Sequence, residues 1–195
     1  MIILGVDPGS RLLGYGLIEK TGNHVRVIEH GTIRLYHKEY RDIPVDETTP
    51  SRLREIYEKL GEVIRRHKPQ ALAVEKVFFA KNAVSALKLG QARGVVLLTG
   101  AIHDVEIYEY SVTEVKSMIT GHGRADKEQV AKMLQMILGV QEFETPDASD
   151  ALSLALAHAL RLKPSGVGSM SAGKKGNSLK DLAESSLAKS KLQKR

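Results

Sequence analysis

The chain has 195 residues, 42% hydrophobic and 27% charged, a composition suited to a globular protein with one sizeable core. It has no cysteine, so disulfides and thiolate metal sites are excluded, and any metal must be held by oxygen or by the seven histidines. The net charge of +6 is concentrated at one end: residues 164–195 hold seven basic and two acidic residues, while residues 1–163 hold 22 and 21. The first 163 residues are thus nearly neutral, and any DNA contact there must rest on local patches rather than on an overall field.

The opening Met1–Val6 is apolar but too short for a signal peptide, and Ile2–Val6 reads as a buried strand. No apolar run approaches the roughly 20 residues of a membrane span, so a cytoplasmic location is expected. Gly14–Ile18 and Val25–Leu35 read as further strands around the turn Thr21-Gly22-Asn23, which predicts an antiparallel meander. Tyr36–Pro50 is polar and charged and reads as an exposed loop. Ser51–His67 carries Leu53, Ile56, Tyr57, Leu60 and Ile64 at helical spacing and stops before Pro69. Ala71–Val74 is a short buried strand ending in Glu75. Asn82–His103 predicts a long helix whose Ala86, Gly90, Ala92 and Gly94 form a small-residue face. Val105–Tyr108 is a fifth strand, followed by helices over Val112–Ile119, Lys127–Leu138 and Asp147–Leu162. The last helix is apolar on nearly every face, as expected of one buried against a sheet. Residues 164–195 are rich in Ser, Gly and Lys and poor in large apolar residues, and read as a disordered basic tail beyond a folded domain at 1–163.

Four acids stand out. Asp7 closes an apolar strand and is followed by Pro8-Gly9, which cannot continue it; Glu75 closes another. Acids at the ends of buried strands cost stability. Asp147 and Asp150, three apart at a helix start, point to one side. Taken alone, Asp147 also suits a helix N-cap or N1 acid, and Asp150 a first-turn acid favoured by the helix dipole. If all four converge, like charges raise one another's pKa, and divalent cations relieve the repulsion. An all-oxygen set suits Mg²⁺, with Mn²⁺ as the substitute, and two ions about 3.5–4 Å apart suit phosphodiester hydrolysis.

The string Gly5–Arg11, then Val74–Asn82, then Ser85–Gly94 and Asp147–Leu152 occur in the order found in RuvC Holliday-junction resolvases, and the chain resembles that family over about residues 1–160. The resemblance implies a ribonuclease H-like α/β fold, a five-stranded mixed sheet flanked by helices. It also implies that Asp7, Glu75, Asp147 and Asp150 bind about two Mg²⁺ ions per subunit and cut four-way junctions. Phe78, Lys81, Asn82, Lys116 and Lys127 would then contact DNA, with Phe78 stacking on a base opened at the junction. A homodimer follows from the need for two symmetric cuts, with the long glycine-bearing helix near its interface. The resemblance further implies a thymine-containing cleavage preference and work alongside the RuvA–RuvB branch-migration motor.

Between Lys76 and Gly94 lie four basic residues and no acid, Lys76, Lys81, Lys88 and Arg93, a patch beside the acids that suits phosphate. Two rival readings carry less. An actin-like or sugar-kinase ATPase would explain Asp7-Pro8-Gly9-Ser10 as a phosphate loop, but such proteins need a second lobe and a longer chain. A non-catalytic DNA-binding module would be expected to have lost one of the four acids. His158, on an apolar helix, reads as a core histidine rather than a ligand, and His122 as an exposed residue able to touch DNA.

Overall fold

The computed structural model describes residues 1–35, 45–76 and 83–162. The predicted residues Phe78, Lys81 and Asn82, most of the 36–50 connection and the segment 164–195 lie outside that set.

Three strands open the chain: β1 (Ile2–Asp7), β2 (Leu12–Thr21) and β3 (His24–Arg34). Helix α1 (Val45–His67) leads to β4 (Ala71–Glu75), and α2 (Ala83–Ile102) to β5 (Glu106–Tyr110). Helices α3 (Val112–Thr120), α4 (Lys127–Leu138) and α5 (Pro146–Arg161) close the fold. The sheet order is β3-β2-β1-β4-β5, with β1, β2 and β3 antiparallel and β4 and β5 parallel to β1. This is the five-stranded mixed sheet expected from the sequence.

Strand periodicity divides the core into two layers. On one face Leu4, Val6, Leu72 and Val74 pack with Ile56 and Leu60 of α1 and Val96 of α2. On the other, Ile3, Ala71 and Ala73 pack with Leu152 and Ala155 of α5 and Ile119 of α3. Ala148 and every residue from Ala151 to Ala159 of α5 are buried, which explains why that helix is apolar all round.

Several boundaries differ from expectation. β2 extends beyond the expected Gly14–Ile18 at both ends and β3 begins and ends one residue early, because the two pair with each other to the hairpin, where Glu19 and Arg26 stand opposite and form an ion pair at 2.6 Å. β5 runs two residues further than expected, along the full edge of β4. The helix expected from Ser51 begins at Val45 and carries Pro50 inside it, so 45–50 is helix and not loop. Proline reads naturally as a start signal, yet here the helix runs through it, with Thr48 before it 3% exposed and Arg52 after it 5%.

Candidate active site

Alternation along β1 and β4 decides where the first two carboxylates point. Asp7 lies two residues beyond Gly5 and four beyond Ile3, Glu75 two beyond Ala73, so both face the α5 layer. Parallel pairing sets Val6 beside Val74, and the next residues on each strand are Asp7 and Glu75.

The other two acids arrive on α5, which lies unusually close to the sheet because β1 and β2 present glycines beneath it. A Cβ on Gly5 would collide with the Ala151 carbonyl oxygen and fall 2.8 Å from Ala155 N. One on Gly14, the register partner of Asp7, would collide with the Asp147 carbonyl and reach 3.0 Å from its Cβ. The start of α5 is fixed separately. Thr145 is the N-cap, its hydroxyl accepting from Ala148 N at 3.1 Å and hydrogen-bonding the Thr32 hydroxyl on β3, with Pro146 in the first turn. Since Thr145 does the capping, Asp147 is not the cap but an acid of the first turn, whereas Asp150 falls beyond that turn and is not the first-turn acid expected.

The other three carboxylates lie near enough to Asp7 to act on its charge. Burial, followed by repulsion from Glu75, Asp150 and Asp147, pushes the Asp7 carboxyl up from its ordinary 3.8 to about 7. Burial also raises Glu75, partly offset by a hydrogen bond with Asp7. Lys127 Nζ donates to Asp150 Oδ2 at 2.9 Å, and that bond raises the lysine in turn. Lys116 and Lys127 border the same hollow as Glu75 and Asp150. Among the described residues no three His, Asp or Glu side chains stand in a ready ligating arrangement. The donor set still fits a hard divalent cation: every ligand is oxygen, and the repulsion that raises Asp7 is what such a cation would neutralise. An arrangement of this kind can position a phosphodiester and its attacking water between acids and lysines.

Other predicted residues fall differently. Arg93, expected in a DNA-facing patch, donates from Nε to the Glu75 carbonyl at 3.1 Å and pairs with Glu109 at 2.7 Å. It braces the end of β4, a role no local pattern announces because both partners come from strands. Lys76 lies 3.8 Å from Glu114. His158 is a core histidine, as read: it is 1% exposed, and Tyr110 Oη lies 2.7 Å from its Nδ1. Burial pushes it down to about 4, so it is neutral near pH 7, but its buried Nε2 has no hydrogen-bond partner. It sits two turns beyond Asp150 and does not join the acids. His122 is exposed, in the link between α3 and α4.

The outer face of α2 also departs from expectation. Ala92 is 2% exposed and belongs to the core beneath, whereas Gly90 and Gly94 face outward with open space above them. Around them Val84, Leu87, Leu98 and Ile102 are 51–64% exposed.

A family model described as crossover junction endodeoxyribonuclease RuvC matches residues 3–158. A protein of that name from Alkaliphilus metalliredigens is 43% identical over 160 residues, covering 82% of this chain and 93% of the relative. One from Syntrophotalea carbinolica is 46% identical over 159 residues, covering 82% and 94%. Among solved structures, T. thermophilus RuvC in complex with Holliday junction substrate superposes with a TM-score of 0.71 at 30% identity, covering 82% of this chain and 94% of that one.

Proposed function

The chain belongs to the RuvC family of crossover junction endodeoxyribonucleases, and from that membership we infer that it resolves four-way (Holliday) DNA junctions by phosphodiester cleavage, in recombination and repair. The observation that carries this to particular residues is the convergence of Asp7, Glu75, Asp147 and Asp150 at the ends of β1, β4 and the start of α5.

In this reading the four carboxylates hold Mg²⁺, or Mn²⁺ in its place, about two ions per subunit. When bound, the metal supplies a lowered pKa for the attacking water and charge stabilisation for the leaving 3′ oxygen. The protein's own groups orient the rest. Lys127, drawn beside the acids by Asp150, and Lys116, on the rim of the same hollow, offer positive charge to the scissile phosphate. Arg93 and the α5 cap fix the ends of β4 and α5 that carry Glu75 and Asp147, so these two carboxylates would hold the cation without reorganising. Phe78, Lys81 and Asn82, in the segment that follows Glu75, are proposed as the junction contacts, with Phe78 stacking on an opened base.

Two nearly simultaneous cuts at symmetric positions call for two sites related by a two-fold axis. The exposed Val84, Leu87, Leu98 and Ile102 on α2, with glycines allowing close approach, support a homodimer joined along that helix. Cooperation with a RuvA–RuvB motor and a cytoplasmic location belong to the same proposal; among the described residues no helix is long and apolar enough to cross a membrane. The test is a side-by-side digestion in Mg²⁺ of a four-way junction and a linear duplex of the same sequence. Preferential cutting of the junction supports the reading; equal cutting of both contradicts it.

A further inference from the structure

A groove of about 570 Å³ is lined by α4, the link that follows it and the start of α5. Ala131, Phe143 and Pro146 give it apolar surface. Glu128, Glu142 and Glu144 line it too; all three are exposed, and among the described residues none of them forms an ion pair. Lys127 and Asp150 also belong to the lining, but they pair with each other at 2.9 Å and cancel. The groove is therefore apolar in part and negative in sum. Its three glutamates have no part in the chemistry assigned to Asp7, Glu75, Asp147 and Asp150, and they repel phosphate. Yet the groove is continuous with the hollow beside those acids, since Lys127, Ser149 and Asp150 line both.

We propose that this groove is the docking surface for the chain's own segment 187–195. That segment, Leu-Ala-Lys-Ser-Lys-Leu-Gln-Lys-Arg, carries four basic residues and no acid, with Leu187 and Leu192 as its large apolar residues. Its charge is opposite to that of the groove, and its leucines suit the surface of Ala131, Phe143 and Pro146. Reach favours the same occupant. Helix α5 has 16 residues, so about 24 Å separate its start, at the groove, from its far end. The 25 steps from Leu162 to Leu187 are rich in Ser and Gly, and a chain of that composition spans about 25–30 Å on average. A tether whose mean span matches the distance gives close to the highest local concentration it can supply. Docking has a consequence for the site that rests on the nuclease reading above. It covers Glu128, Glu142 and Glu144 with lysine and arginine, so the approach to the catalytic hollow no longer repels a polyanion.

The test uses the full chain, whose lack of cysteine allows a clean disulfide trap. Ala131→Cys in the groove is combined with Ser190→Cys in the segment, or with Ser178→Cys, which an undocked coil would bring to the groove about as often. Each pair is oxidised at dilute protein, and the rate of intrachain disulfide formation is followed on non-reducing gels. The Ser190→Cys pair is expected to close roughly five- to tenfold faster than the Ser178→Cys pair. Adding Glu142→Lys and Glu144→Lys should remove that advantage, and adding Lys189→Glu and Lys191→Glu to the same chain should restore it. Equal rates for the two pairs overturn the proposal, and this arm stands even if the charge variants fail to fold. Charge reversal without effect in a variant that melts like the parent overturns it too. A disulfide-linked dimer in place of the intrachain product assigns the groove to a second copy and also overturns it. No DNA enters the measurement, so failure here leaves the nuclease reading standing, and failure to cut junctions leaves the docking result intact.

Discussion

Replacing Asp7 with asparagine should stabilise the metal-free protein while abolishing cleavage, and the size of the gain follows from the carboxyl's surroundings. Folding raises Asp7 from 3.8 to about 7. Below pH 3.8 it is protonated in both folded and unfolded chains and carries no penalty. Above about pH 7 it is ionised in both, and the full cost of a charge buried against Glu75, Asp150 and Asp147 applies. Stability of the metal-free parent therefore falls as pH rises between those values. At about 1.4 kcal/mol per pKa unit, the ceiling is about 4 kcal/mol. Asparagine keeps a donor for Glu75, but repulsion between the remaining acids persists, so we expect about 1–3 kcal/mol at pH 8. For a chain of this length that is a rise in melting temperature of about 3–10 °C. Thermal unfolding in EDTA at pH 8 and pH 4.5 measures it, with most of the gain gone at the lower pH. Added Mg²⁺ should stabilise the parent and leave Asp7→Asn unmoved. An asparagine variant that melts at or below the parent at pH 8, or whose gain is independent of pH, would refute the reasoning.

Other substitutions probe other parts of the account. Gly5→Ala drives a methyl into the Ala151 carbonyl; it should cost about 1–3 kcal/mol and lower cleavage by lifting α5, whereas junction binding should survive. Leu98→Glu, at a position 55% exposed on α2, should leave the fold intact and shift the protein to monomer in sedimentation, with loss of paired cutting. A chain ending at Lys163 removes seven basic and two acidic residues; it should still cut, with a flatter dependence of log K on log salt. A large fall in its melting temperature would mean that residues 164–195 belong to the folded unit.

Much of the site could be read before the fold was known, for physical reasons that differ by residue. Asp7 and Glu75 were legible because an acid that ends an otherwise apolar strand has few stabilising roles, and strand alternation turns both to the same layer. Asp147 and Asp150 were ambiguous on their own; Thr145 as the cap removes only the N-cap reading of Asp147, which still lies in the first turn of α5. Other features depend on tertiary contacts that leave no local trace. Arg93 looked like one more member of a basic run, and only the proximity of β4 and β5 commits it to Glu75 and Glu109. Ala92 and Gly94 look equivalent in sequence, yet two residues around a helix separate core from surface. The early start of α1 was hidden by Pro50, whose usual place is the first turn. The cavity beside the acids could not be foreseen, because its walls come from three helices.

The central claim is that these four carboxylates cut a four-way junction through bound divalent metal. Its most direct test is incubation of the purified protein with a mobile four-way junction, in Mg²⁺ and in EDTA, with the products of both strands mapped. The account predicts paired cuts at symmetric positions in Mg²⁺ and none in EDTA. Cleavage that persists in EDTA, or that proceeds at the parent rate in Asp7→Asn, would contradict it.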